Sequence, residues 1–191
     1  MRSAQLFYGE LMPIHNQETV YVFASLVCAG IGSVHDIKDR RIPNLLTGPS
    51  IFFALSLHFL FGGWSQLGSS ALAGLIAGSI FLVFFMAGGL GAGDVKLMTA
   101  VGCFVGMPLL SQVMIATVII GALFAIMLAL YRGQLRQTLA NIVALGVHHQ
   151  QRGLRQHPEL NLTNARALRL PYALPIAAGC LTTAWTLATR G

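Results

Sequence analysis

Apolar residues in this chain come in runs long enough to cross a lipid bilayer, and that narrows the folds open to it more than any other feature. A membrane-crossing helix takes about 20 predominantly apolar residues. Six stretches reach or approach that length, near residues 19–36, 45–62, 67–89, 94–107, 109–131 and 170–189. The fourth is short, and needs the Gly91-Ala92-Gly93 approach or the Gly106-Met107-Pro108 turn to complete a crossing. Charged residues make up 9% of the chain, whereas a soluble domain carries about one quarter. The expected fold is all-α, a polytopic membrane bundle of six transmembrane helices.

Residues 1–18 read as a polar N-terminal segment and 19–189 as one membrane domain. The first apolar run ends in charge without a small-residue cleavage site, so it reads as a retained span and not as a signal peptide. Residues 132–169 are the one long polar connection, lying between the fifth and sixth spans. Within it, 135–145 places apolar residues at helical spacing with Arg136 on the polar side, the pattern of an interfacial amphipathic helix. Residues 150–164 read as a polar loop.

The net charge is +6, but the cations form no basic face of the kind that binds nucleic acid. They fall in short connections. Lys38, Arg40, Arg41, Lys96, Arg132, Arg136, Arg152, Arg155, Arg166 and Arg169 all lie on one side of the expected topology, with Arg2 and Arg190 on the other. The positive-inside rule then puts the first group in the cytoplasm and both termini outside.

Small residues recur at four-residue spacing in two spans, Ser70-Gly74-Gly78 and Gly102-Gly106. Such rows let helix backbones approach closely in lipid and read as packing seams. Cys28, Cys103 and Cys180 each fall in a different apolar run with no Cys-x-x-Cys pair, as small buried thiols would. Trp64 and Trp185 fit interfacial anchors.

Acids are scarce, and two of the six stand where spans end. Asp36 closes the first apolar run, and Asp94 follows the Gly88-Gly89-Leu90-Gly91-Ala92-Gly93 stretch. An ionisable group at a membrane edge is costly and marks a functional site by default. Two crossings separate these residues, so the topology returns both to the cytoplasmic face. Two carboxylates in close approach cannot both ionise easily, and a proton stays with the pair. One can take a proton from water while the other hydrogen-bonds a peptide carbonyl. The pair titrates as a unit, so neither residue is assigned the acid or the base role alone. The glycines before Asp94 allow a close backbone approach. Lys38, Asp39, Arg40 and Arg41 read as solvated loop charges, with Asp39 a partner of those cations.

The pattern Asp36…Ile42-Pro43-Asn44, followed two spans later by Gly91-Ala92-Gly93-Asp94-Val95-Lys96, resembles the type IV prepilin peptidases. These are membrane aspartyl proteases that share Gly-x-Gly-Asp with presenilin-like proteases. Leu170-Pro171-Tyr172-Ala173-Leu174-Pro175 is similar to the family's third, weaker signature. The likeness runs from about residue 20 to 189 with the motifs in the family order. It implies that Asp36 and Asp94 are the catalytic pair, supported by Gly91, Gly93, Lys96, Pro43 and Asn44. It further implies cleavage of pilin or pseudopilin precursors after a glycine, at the cytoplasmic face of the bacterial inner membrane. The partners would be that precursor, the lipid bilayer and the pilus assembly machinery, with no cofactor. Larger bifunctional members carry an extra cytoplasmic region, often with paired Cys-x-x-Cys motifs, associated with N-methylation. This chain is similar to the short peptidase-only form of Flp-type (tight adherence) pili, so N-methyltransferase activity is not expected.

Lys96 has two readings: a partner of Asp94 or of substrate, or a cation that topology alone puts at a cytoplasmic helix end. His148, His149 and His157 lie in the polar connection with only Glu159 nearby, a poor metal set. The rival function is a small proton-coupled transporter or channel subunit whose acids relay protons. Transporters tend to show internal repeats and helices broken near mid-membrane. No repeat is visible, and both acids lie near one face. A non-catalytic scaffold would leave the paired acids without a role.

Overall fold

A computed structural model describes residues 14–39, 41–87, 89–133 and 171–190. Among the described residues every regular element is a helix: α1 (Ile14–Asp39), α2 (Asn44–Met86), α3 (Ala92–Tyr131) and α4 (Ala173–Arg190). By length and composition α1, α2 and α3 can each cross a membrane, and α4 is a shorter apolar helix. Helices suit such a setting because each satisfies its own backbone polar groups without water. The amphipathic stretch 135–145, the polar loop 150–164, the histidines at 148, 149 and 157, and Glu159 lie outside the described residues, as does most of the 1–18 segment. α1 already begins at Ile14, ahead of the apolar boundary expected at residue 19.

The two long helices are not straight rods. A continuous helix of 43 residues would be about 65 Å long, yet both ends of α2 reach the start of α3. Asn44 takes a hydrogen bond from Lys96, and Met86 leads into Ala92 through residues 87–91. The middle of α2 lies elsewhere: His58, Ser69 and Ser70 bond to Phe104, Met107 and Cys103. Gly63 makes the reversal, with φ 65° and ψ −154° inside the helix. Gly106 does the same in α3, at φ 65° and ψ −179°. Positive φ costs glycine little, having no Cβ to clash. The second arm of α3 then runs antiparallel to α4, with Gly121 against Tyr172, Gly179 against Thr117, and Gln112 bonded to Thr186.

The turn expected at Gly106-Met107-Pro108 is therefore present, and Gly106 alone makes it. The earlier turn falls at Gly63, a few residues before the expected start of the third run at residue 67. Trp64 and Ser65 keep the second arm helical from the first position after the glycine. Pro108 sits at the start of an arm, where a missing N–H costs no helical bond.

The small-residue rows expected as seams pack against each other. A Cβ on Gly102 would stand 2.9 Å from the Ala73 carbonyl oxygen and 3.1 Å from Gly74 Cα. Gly74 and Gly78 face Cys103 and Thr99, and Ser70 Oγ donates to the Cys103 carbonyl at 2.6 Å. Backbone meets backbone along this seam, which fixes the second arm of α2 on the first arm of α3. Burial follows the same logic. Ser25, Thr117, Thr183, His58 and Asp94 are buried, while Phe23, Val27, Ile31 and Val34 are exposed along one side of α1. Buried polar groups beneath an apolar exterior are informative because water-soluble folds show the reverse. All three cysteines are free and buried, and Trp64 and Trp185 are exposed.

Candidate active site

α3 starts at a sequence that cannot begin a helix with an ordinary side-chain cap. Gly91 is extended (φ −85°, ψ 151°) and has no side chain to offer the first-turn N–H groups. Asp94 reaches back instead. Its Oδ2 accepts the Gly91 N–H at 3.1 Å, while its own N–H donates to the Gly91 carbonyl at 3.1 Å. An acid at the third helical position is the reciprocal half of a capping box, and it also meets the positive end of the helix dipole. The cap orients the carboxylate and holds it at 7% exposure.

Asp36 arrives from the last turns of α1. The backbone N–H of Ala173, at the start of α4, reaches its carboxylate, and its Oδ2 is buried without a hydrogen-bond partner. Asp36 and Asp94 interact electrostatically, and so do Asp94 and the phenol of Tyr172. Two acids far apart in sequence thus converge beside the start of α4.

The approach has a local cause. Gly32 lies one turn before Asp36, and Leu97 one turn after Asp94. Leu97 is fully buried, and its Cδ1 would stand 2.9 Å from a Cβ on Gly32. The bare backbone at Gly32 lets Leu97 nest there, which draws α1 and α3 together directly beneath the two carboxylates. Sequence reasoning passed over Gly32. Its spacing from Asp36 was visible, but nothing in the sequence gave its partner.

The expected supporting residues join the same end of the bundle. Ile42 packs on Gly93, where a Cβ would lie 3.2 Å from Ile42 Cβ. Pro43 caps α2 at φ −67° and ψ 140°, and its carbonyl accepts the Leu46 N–H at 3.0 Å. Lys96 Nζ donates to Asn44 Oδ1 at 2.7 Å, so its hydrogen bond goes to Asn44 and ties the first turn of α3 to that of α2. Asp39, expected to pair with the neighbouring cations, lies 3.6 Å from His35 Nδ1. Four residues along a helix share one face, and this pair is well exposed. Among the described residues no three His, Cys, Asp or Glu side chains group as metal ligands.

What the arrangement can do chemically follows from its parts. Asp94 spends one oxygen on its cap, and Asp36 has one with no partner, so acceptor capacity remains free between them. A water there would face two carboxylates with a proton to share.

A family model described as "Type IV leader peptidase family" matches residues 22–126. A prepilin leader peptidase/N-methyltransferase of Aeromonas salmonicida (strain A449) is 35% identical over 104 residues, covering 51% of this chain and 35% of that protein. One of Burkholderia pseudomallei (strain K96243) is 31% identical over 112 residues, covering 54% of this chain and 35% of that protein. The chain thus spans about a third of the length of the curated relatives it matches. No solved structure matches it.

Proposed function

The chain belongs to the type IV leader peptidase family, and from that premise we propose that it is an aspartyl endopeptidase of prepilin-like precursors. Asp36 and Asp94 form the catalytic pair, cutting the leader after a glycine at the cytoplasmic face of the inner membrane. The observation that carries this reading is the convergence of the two carboxylates, one with an oxygen buried and unpartnered. The family match covers both residues.

In the proposed reaction the ionised member of the pair takes a proton from water. The water oxygen adds to the scissile carbonyl carbon while the protonated member hydrogen-bonds the carbonyl oxygen. The carbon–nitrogen bond of the resulting tetrahedral adduct then breaks. The leaving amine receives the proton, and the pair returns to its starting state without a covalent intermediate. Positioned proton transfer of this kind contributes about 10²–10⁴-fold to rate.

The same reading makes each arm of α2 and α3 a membrane crossing, six in all with α1 and α4. Three of the four arms run about 20 to 25 residues and match the thickness of the hydrocarbon core, whereas the first arm of α3, residues 92–105, is shorter and leans on the Gly91 approach and the Gly106 turn. Lys38, Arg41, Lys96 and Arg132 flank helix ends on the side that carries the acids, and the positive-inside rule supports a cytoplasmic setting for that side. The precursor's apolar segment would lie in the bilayer beside the bundle, and the released pilin would pass to the assembly machinery.

The test is processing of an Flp-type pilin precursor by the full chain in lipid vesicles. Asp36→Ala and Asp94→Ala should each abolish cleavage. Normal cleavage by either variant would remove the pair from the mechanism.

A further inference from the structure

Gly121 lies far from either acid in sequence, yet a chain of contacts runs from it to the site. It is buried in the second arm of α3 with ordinary helical backbone, so no turn or positive φ calls for glycine there. Glycine inside a helix is otherwise less favourable than alanine, and a packing reason is needed. The ring of Tyr172 provides one. A Cβ on Gly121 would stand 2.8 Å from Tyr172 Oη, 3.1 Å from Cζ and 3.4 Å from Cε1. The ring therefore lies directly on bare backbone. The ring also meets Phe81 edge-on, with centroids 6.4 Å apart at 78°, and Phe81 is itself buried.

Clamped in this way, Tyr172 fixes the turn that opens α4. Its carbonyl accepts the Ile176 N–H at 3.3 Å, and the Pro171 carbonyl accepts that of Leu174 at 3.2 Å. The first N–H groups of a helix have no partner within it. That of Ala173 is free for this reason, and it reaches the Asp36 carboxylate. The phenol meanwhile stands within electrostatic reach of Asp94. One turn, held by one ring, thus addresses both acids.

We propose that Gly121 and Tyr172 are positioning residues for the aspartate pair: Gly121 seats the Tyr172 ring, and the seated ring holds the Ala173 N–H on Asp36. This rests on the aspartyl peptidase reading above. A side chain at residue 121 lifts the ring and moves that N–H, and misplacement by about 1 Å can cost as much as about 10²-fold in rate. Substrate does not bind through this contact, so kcat falls and KM does not.

The experiment measures cleavage of a purified Flp-type pilin precursor by the full chain in lipid vesicles, with kcat and KM taken separately. Gly121→Ala is expected to lower kcat about tenfold while leaving KM within about twofold. Its melting temperature should hold, since alanine favours the helix. Tyr172→Phe alone keeps the ring seated and sets the baseline without the phenol; placed in the Gly121→Ala background it removes the atom nearest the new methyl group, and should bring kcat back close to that baseline. A normal kcat in Gly121→Ala overturns the inference, as does a double variant no faster than Gly121→Ala alone. Asp36→Asn serves as the reference. If it cleaves normally, the aspartyl reading falls and this inference with it. If it is inactive while Gly121→Ala is unimpaired, this inference alone falls.

Discussion

The two ends of the bundle treat buried polar groups in opposite ways. Where α2 and α3 reverse, side chains are matched to the backbone groups that the breaks release. Ser70 donates to the Cys103 carbonyl, the Met107 N–H donates to Ser69, and His58 Nε2 lies 2.8 Å from the Phe104 carbonyl. That carbonyl can only accept, so Nε2 carries the proton. Tyr21 stacks on the same imidazole at 3.9 Å. The match is looser at His58 Nδ1, which is buried with no well-formed hydrogen bond and has the Gln66 side chain beside its ring.

At the other end, Asp94 and Asp36 are held by single backbone N–H groups and keep acceptor capacity free. A buried polar atom without a partner costs about 1–3 kcal/mol. The turn end uses its polar side chains to rebuild a backbone ladder. The acid end leaves an oxygen of Asp36 unpaired. The lesson is that polar side chains within one bundle serve structure or chemistry according to what they leave unpaired.

Substitutions at the two ends should separate along this line. The largest effect belongs to the acids: Asp36→Asn and Asp94→Asn keep shape and capping ability, yet each should lower kcat for precursor cleavage by about 10²–10⁴-fold. A comparable loss from Ser70→Ala in folded protein would break the contrast. Next comes the seam between the ends. Gly102→Val drives a branched side chain into the Ala73 carbonyl and Gly74, and should destabilise the bundle by about 1–3 kcal/mol, read from thermal unfolding in detergent.

Ser70→Ala removes one buried hydrogen bond and should cost about 1 kcal/mol, with kcat in the folded fraction close to that of the unchanged chain. The smallest shift is expected of Lys96→Met. Its bond to Asn44 is exposed, so stability should change by about 0.5 kcal/mol. Cleavage should slow only modestly, as the first turns of α2 and α3 come apart. A loss as deep as that of Asp94→Asn would mean that Lys96 acts on the acid itself.

Much of this was legible in the sequence, for identifiable reasons. Apolar runs and the charges between them follow directly from the cost of burying charge in lipid, and they gave an all-helical chain; four of the six expected runs join pairwise into the long helices α2 and α3, and α1 starts five residues early. The Ser70-Gly74-Gly78 and Gly102 rows announced a close seam because small residues at that spacing have few other uses in a helix. Asp36 and Asp94 stood out because acids are rare in such a chain.

What the sequence left unread were relations across helices. Gly32 and Gly121 look like any other glycines until Leu97 and Tyr172 are found resting on them. The partner of Lys96 was equally hidden, since topology puts a cation there whatever it bonds. The reversal at Gly63 was obscured by Gly62 beside it, as either glycine can take positive φ.

The central claim is that the carboxylates of α1 and α3 meet at one site. The most direct measurement is thiol cross-linking in lipid vesicles, with Cys28, Cys103 and Cys180 replaced by serine or alanine. A short bifunctional thiol reagent is applied to Asp36→Cys/Asp94→Cys, with Asn44→Cys/Lys96→Cys, whose native side chains hydrogen-bond, as the reference pair. Rapid intramolecular closure of both pairs is the predicted result. Closure of the reference pair, with the aspartate pair left open, would contradict it.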